Sequence, residues 1–234
     1  MTRLSRLILL FSVAFAVFFV APPVLASQFG PYPLMKLGDV IDLLTPLVLI
    51  PLYWLLYQVG QDKKVSLREG LAFMLLAALW IEGQGMHLAA NSIGHLLKEM
   101  AGSDAAVLTS FYDEVLSHYL WHLAIVGLSA LLLIRQWQNP FVGERSHLGL
   151  PFLAGIIHGL TLFVIVVEGG TALLGIPFAI VVILVGLVWG RNKVREQPLL
   201  LFFLVSYVVA MLFFAGWGIY WGGLPEFSAL GFID

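Results

Sequence analysis

No cysteine occurs in the 234 residues, so neither a disulfide framework nor a thiolate metal site can form. Charge is nearly as scarce. Only 11% of residues are charged while 60% are hydrophobic, whereas a soluble domain carries about a quarter charged residues. Such a chain cannot cover a water-facing surface, and it reads as an integral membrane protein. The final apolar stretch holds no lysine, which excludes a retinal Schiff base there. Repeated Glu-x-x-His pairs are missing too, which excludes a ferritin-like di-iron site. Internal repeats, low-complexity tracts and a soluble domain are all lacking, and no nucleic acid is expected as a partner.

What is present is apolar sequence in long runs. Stretches at roughly 7–25, 37–57, 69–97, 112–134, 148–168, 171–190 and 198–221 each approach the ~20 residues that a spanning helix needs. The expected fold is all-α, a polytopic transmembrane bundle of six or seven helices. Lysine and arginine are unevenly placed. Lys63, Lys64 and Arg68 follow the second stretch, Arg135 and Arg145 the fourth, and Arg191, Lys193 and Arg195 the sixth. Only Lys36 and Lys98 lie in the opposite loops, and Arg3 and Arg6 precede the first stretch. The positive-inside rule then sets the N-terminus and the basic loops in the cytoplasm and the C-terminus outside, in a bacterial inner membrane. Trp217, Tyr220 and Trp221 close the last stretch as an interfacial anchor.

The first stretch has two readings. A basic MTRLSR, an apolar LILLFSVAFAVFFV and a small-residue APPVLAS favour a signal peptide covering residues 1–26, cleaved after Ala26. The other reading keeps it as a first spanning helix. Residues 27–234 form a single transmembrane domain under either.

Polar groups inside the apolar stretches point to a site. The segment FYDEVLSHYLWH, residues 111–122, sets two carboxylates and two histidines at the start of the fourth stretch. Counted inward at ~1.5 Å per residue, His87, His122 and His158 each lie about 15 Å from the outer ends of their helices. Glu114, His118 and His122 share one stripe at i, i+4, i+8 spacing. Gly155-x-x-x-Gly159 around His158 lets another helix approach closely. Polar groups at such depth face the bundle interior, so convergence on one centre is expected. His87, His118, His122 and His158 are the candidate metal ligands. Imidazole is the usual zinc ligand, and three histidines with an open position make a catalytic arrangement. Asp113, Glu114 or Glu82 is then the candidate general base toward a metal-bound water. His95 and His147 lie near interfaces and read as structural. Glu168 before Gly169-Gly170-Thr171 reads as a cap, and Asp39 and Asp42 as dressing of a helix N-terminus.

The motifs GQGMH, FYDEVL and SHYLWH resemble those of the seven-helix membrane hydrolases that include alkaline ceramidases, progestin and adiponectin receptors and Per1-like lipid remodellers. That resemblance covers about 40 residues. It matches His87 to the family's early-helix histidine, Asp113 to its acidic element, and His118 and His122 to its paired-histidine element. The sequence departs from the pattern in three ways. Gly83 stands where the family has serine, the histidine pair shares a helix with the aspartate, and His158 has no counterpart. The resemblance implies a zinc-dependent amidase or esterase acting on a membrane lipid. Two other classes account for the same histidines. One is a b-type haem or other iron redox protein, which needs two facing imidazoles. The other is a proton- or ion-coupled transporter using Glu82 and the histidines in a relay.

Overall fold

Inside a membrane every backbone amide and carbonyl must find its partner within the chain, and a run of about 20 apolar residues achieves this as a helix. A computed structural model describes residues 3–31, 34–59, 63–140, 148–188, 190 and 197–232. Its helices are α1 (Arg3–Val20), α2 (Leu37–Gln58), α3 (Leu67–Leu96), α4 (Asp104–Ser110), α5 (His118–Gln138), α6 (Gly149–Glu168), α7 (Ala172–Val188) and α8 (Pro198–Trp221). A π-helical segment, Phe111–Ser117, joins α4 to α5 without a break. No strand forms among the described residues. Six helical rods are long and apolar enough to cross a membrane, and α7 is a shorter apolar seventh. The chain is therefore a multi-pass, all-α membrane protein. Its outer surface is apolar, with Leu173 and Ile219 more than four-fifths exposed. Arg145, His147, Arg191, Lys193 and Arg195 lie outside the described residues.

One boundary departs from expectation. The polar segment 98–111 is not an open loop, because Ser103 accepts a hydrogen bond from Ala106 N at 3.3 Å and starts α4 there. The fourth rod then runs from Asp104 to Gln138, beginning eight residues before Tyr112. Local polarity signals a loop, but a capping serine overrides it.

Close packing follows the small residues. A Cβ on Gly155 would lie 2.7 Å from Phe202 O, and one on Gly159 would collide with Ser206 O. The two glycines thus let α6 and α8 meet backbone to backbone, as the sequence suggests. The first helix is seated in the core. Leu4, Ile8, Phe11 and Phe15 are at most 1% exposed and pack α1 against α6 and α2. Removing even one such phenylalanine costs about 3–5 kcal/mol, a large share of a marginal stability. Purified protein is expected to retain α1, read as an intact mass that includes residues 1–26. A chain started at Ser27 is expected to give no monodisperse folded species in detergent.

The end of the bundle that carries Lys63, Lys64 and Arg68 is tied by Arg135. Its Nε donates to Tyr57 O at 2.9 Å and its Nη2 to Lys63 O at 2.5 Å. Nη1 donates to Glu69 Oε1 at 2.8 Å, and the guanidinium stacks 4.6 Å from the Tyr57 ring centre. Glu69 is itself fixed by the reciprocal cap with Ser66. One buried cation therefore joins α2, α3 and α5. Hydrogen bonds to a charged group contribute about 1.5–3 kcal/mol each. Arg135→Met, which removes all of them, is expected to lower the thermal midpoint in detergent, and Glu69→Gln to lower it less because Arg135 keeps its two carbonyl acceptors.

Candidate functional site

The π segment determines which acid reaches the interior. With hydrogen bonds spaced i→i+5, the residue one turn ahead of His118 is Asp113 rather than Glu114. Asp113 is 8% exposed, His118 7% and His122 3%, whereas Glu114 faces outward. The expected Glu114–His118–His122 stripe is thus corrected to Asp113–His118–His122. Ser117, fully buried, holds the segment by donating to the Asp113 carbonyl.

Opposite stands α3. At Gly83 the backbones of α3 and α5 nearly touch, since a Cβ there would lie 2.7 Å from Trp121 N and 2.8 Å from Ser117 O. That approach brings His87 to Asp113, with His87 Nδ1 2.8 Å from Asp113 Oδ1. The ring centres of His87 and His118 are 4.9 Å apart, and those of His118 and His122 are 6.1 Å apart. Three of the four candidate histidines therefore gather at the end of the bundle opposite Arg135.

Each of these rings has Nδ1 beside a different oxygen, hydrogen-bonded for His118 and His122 and, for His87, at ion-pair distance without hydrogen-bond geometry. His87 meets the Asp113 carboxylate, and His118 Nδ1 donates to Glu114 O at 3.1 Å. His122 Nδ1 shares a hydrogen bond of 2.7 Å with Thr171 Oγ1. The backbone of Gly169 also faces the His118 ring. His122 Nε2 is buried without a partner among the described residues. Sequence reading overlooked two members of the cluster. Asp42, taken as dressing, lies within electrostatic reach of His87, and Gln84 donates to Asp42 Oδ1 at 3.4 Å while accepting from Trp80 Nε1. Thr171 was overlooked as well, although the Gly-Gly-Thr turn after Glu168 marks where α6 and α7 reverse beside the site.

His158 is elsewhere. It is fully buried, shares a 2.8 Å hydrogen bond with Ser206 Oγ, and sits among Phe11, Phe15, Phe202 and Phe203. The ring chain from it to His122 passes through Phe15, Phe19 and Trp121 at centre spacings of 4.4, 4.7, 5.1 and 3.6 Å. Equal depth along separate helices did not mean a common point, because α1 stands between them. Glu82 is also set apart: it faces outward from α3, on a different face from buried Gly83 and Gln84.

The donor chemistry suits a zinc ligand set only in part. Metal-bound histidines usually hold their second nitrogen on a carboxylate, carbonyl or similar oxygen, and His118 and His122 do so here. With Zn–N about 2.0–2.1 Å, two imidazoles on one tetrahedral ion have ring centres about 5 Å apart. The His87–His118 pair meets that spacing, at 4.9 Å, and His122 stands more open, 6.1 Å from His118. Among the described residues no group of three or more histidine, aspartate or glutamate side chains is placed so that it could hold a metal ion.

Glu168 is an anchor, as its reading as a cap suggests, but for another segment. Its Oε2 accepts the amides of Phe227 at 2.7 Å and Ser228 at 3.3 Å. The residues after α8 thereby fold back over the site end. Trp217 donates to Pro225 O at 3.0 Å. Burial, and next the nearby Glu168, push the Glu226 carboxyl above its ordinary pKa.

The fold and this cluster define a multi-pass helical membrane protein with a histidine–carboxylate cluster at one end. No family model, no curated protein and no solved structure matches the chain.

Gly169 offers a direct test of the cluster. A Cβ there would lie 2.6 Å from His122 Cε1, so Gly169→Ala must displace the ring or the turn. Overpacking of this kind costs about 1–3 kcal/mol. The variant is expected to melt earlier and to shift the His122 ring resonances. Gly85→Ala, whose Cβ meets nothing within 4 Å, is expected to melt no earlier than the parent.

Proposed function

We propose that the protein is a membrane-embedded metalloenzyme that binds zinc through His87, His118 and His122 and hydrolyses a membrane-dissolved amide or ester. The observation that supports it is the gathering of the three rings, with His118 Nδ1 on Glu114 O, His122 Nδ1 on Thr171 Oγ1 and His87 Nδ1 2.8 Å from the Asp113 carboxylate. A zinc ion so held would supply a water of lowered pKa and polarise a carbonyl. Asp113 then acts as a positioning residue, since it orients His87. Glu114, exposed beside the cluster, is the carboxylate left to take a proton from the attacking water. The Cβ clash at Gly83 leaves no room for a serine hydroxyl at that position, so the proposed chemistry runs without one. We place the site end outside the bacterial inner membrane and the Arg135 end in the cytoplasm, as the distribution of Lys63, Lys64 and Arg68 favours.

A second reading, proton- or ion-coupled transport, draws on the polar link that continues inward from His87 through Asp42, Gln84 and Trp80. Elemental analysis separates the two. Full-length protein purified in detergent is expected to hold about one zinc per chain. His87→Ala, His118→Ala and His122→Ala are each expected to lose at least nine-tenths of it, while His158→Leu keeps it. Metal-free wild-type protein that neither takes up zinc nor shows cobalt(II) d–d bands on titration would end the hydrolase reading.

A further inference from the structure

The two lysines at the histidine end of the bundle meet in one place. Between α1 and α2 the chain doubles back on itself. Phe29 N donates to Met35 O at 2.8 Å and Leu37 N to Ser27 O at 2.9 Å, which sets Gln28 opposite Lys36. Gly38 seats this ribbon, since a Cβ there would collide with Pro22 O. Against the ribbon lies the end of α3 with the turn that follows it. A cavity of about 320 Å³ opens between them, lined by Gln28, Leu34, Lys36, His95 and Lys98 among others. Ligand sites commonly enclose ~300–1,000 Å³, so the space admits a guest the size of a headgroup.

Lys36 and Lys98 are the only basic residues that the sequence places in the loops of this end, and both line the one cavity. No carboxylate pairs with either ammonium among the described residues. Asp39, the acid nearest to Lys36 in sequence, is held by that residue's own backbone N–H at 2.7 Å. Cations gathered without countercharge attract an anion. The surroundings are apolar as well. Leu34 in the lining, and Phe29, Leu96 and Met100 beside the lining residues in the chain, are each more than two-fifths exposed. Such side chains favour acyl chains over water.

We propose that this cavity is a binding site for the phosphate headgroup of an anionic phospholipid, with Lys36 and Lys98 as its countercharges and the His95 ring as a hydrogen-bond partner. The apolar flank receives the first part of the acyl chains, which separates this guest from free phosphate. His95 stands eight residues beyond His87 on α3, about 12 Å at 1.5 Å per residue, so a lipid held here is a neighbour of the histidine cluster. The site goes beyond the zinc reading and does not depend on it.

The test uses full-length protein freed of lipid in an uncharged detergent. Because the chain has no cysteine, an Ile93→Cys substitution, at an exposed position two residues before His95, carries a single environment-sensitive fluorophore. Dioleoylphosphatidylglycerol is expected to give a saturable signal. Dioleoylglycerol, with the same tails and no phosphate, and inorganic phosphate, with no tails, are expected to give none over the same range. Lys36→Gln and Lys98→Gln are each expected to weaken phosphatidylglycerol binding about fivefold at low salt, with the gap closing at high salt. Lys98→Arg is expected to keep the wild-type affinity, and Lys64→Gln, exposed at the opposite end, to change nothing. Lys98 is itself exposed, so Lys98→Gln carries the test should Lys36→Gln fail to fold. Equal binding of dioleoylglycerol would make the cavity a general apolar groove, and equal binding of inorganic phosphate would make it a site for the free anion. Either result overturns the headgroup assignment, as do lysine variants that both bind like the wild type.

Discussion

The cluster depends on one contact, the backbone-to-backbone approach of α3 and α5 at Gly83. Any side chain there would drive into Trp121 N and Ser117 O and force the helices apart. Separation by the width of a methyl group would part His87 from Asp113 and from the His118 ring. In a membrane such an approach is held by van der Waals contact rather than by a hydrophobic drive, so the missing Cβ is the condition for all that surrounds it. The π segment is the second half of the arrangement. An uninterrupted α-helix would turn Glu114 inward and leave the shorter aspartate facing lipid or water.

Much of the fold was legible because it follows from a coarse physical rule. Each of the seven apolar stretches is a helix, and Gly155 and Gly159 mark the α6–α8 contact as their spacing suggests. The site was legible only in part. His87, Asp113, His118 and His122 gather because two neighbouring helices carry them. His158 was misplaced because depth is one coordinate of three, and the sequence does not say which helix stands between two others. Glu114 was set on the inward stripe because i, i+4 counting presumes an unbroken α-helix. Asp42, Gln84 and Thr171 were overlooked because each is an ordinary residue for its local position. They matter through partners 42 to 49 residues away.

His158 and the first helix show a division of labour among the aromatic residues. Phe11 and Phe15 wall in one imidazole whose Nδ1 needs only Ser206, while Phe19 lies against Trp121 and supports another from behind. The same helix thus walls in one histidine and backs another. Residues 1–26 carry the compositional marks of a leader, yet Leu4, Ile8, Phe11 and Phe15 within them form an internal wall. Composition reports how a segment enters a membrane. Packing reports what it does there afterwards.

The Arg135 knot has a mechanical consequence. It fastens α2, α3 and α5 at one extremity, and about 25 Å of helix, at 1.5 Å per residue, separates Arg135 from His118. Near the other extremity the same two rods, α3 and α5, are pinned again where Gly83 meets Trp121 and Ser117. Two parallel rods fastened at two heights can neither slide nor turn on each other, so the rows of side chains between the fastenings stay in register.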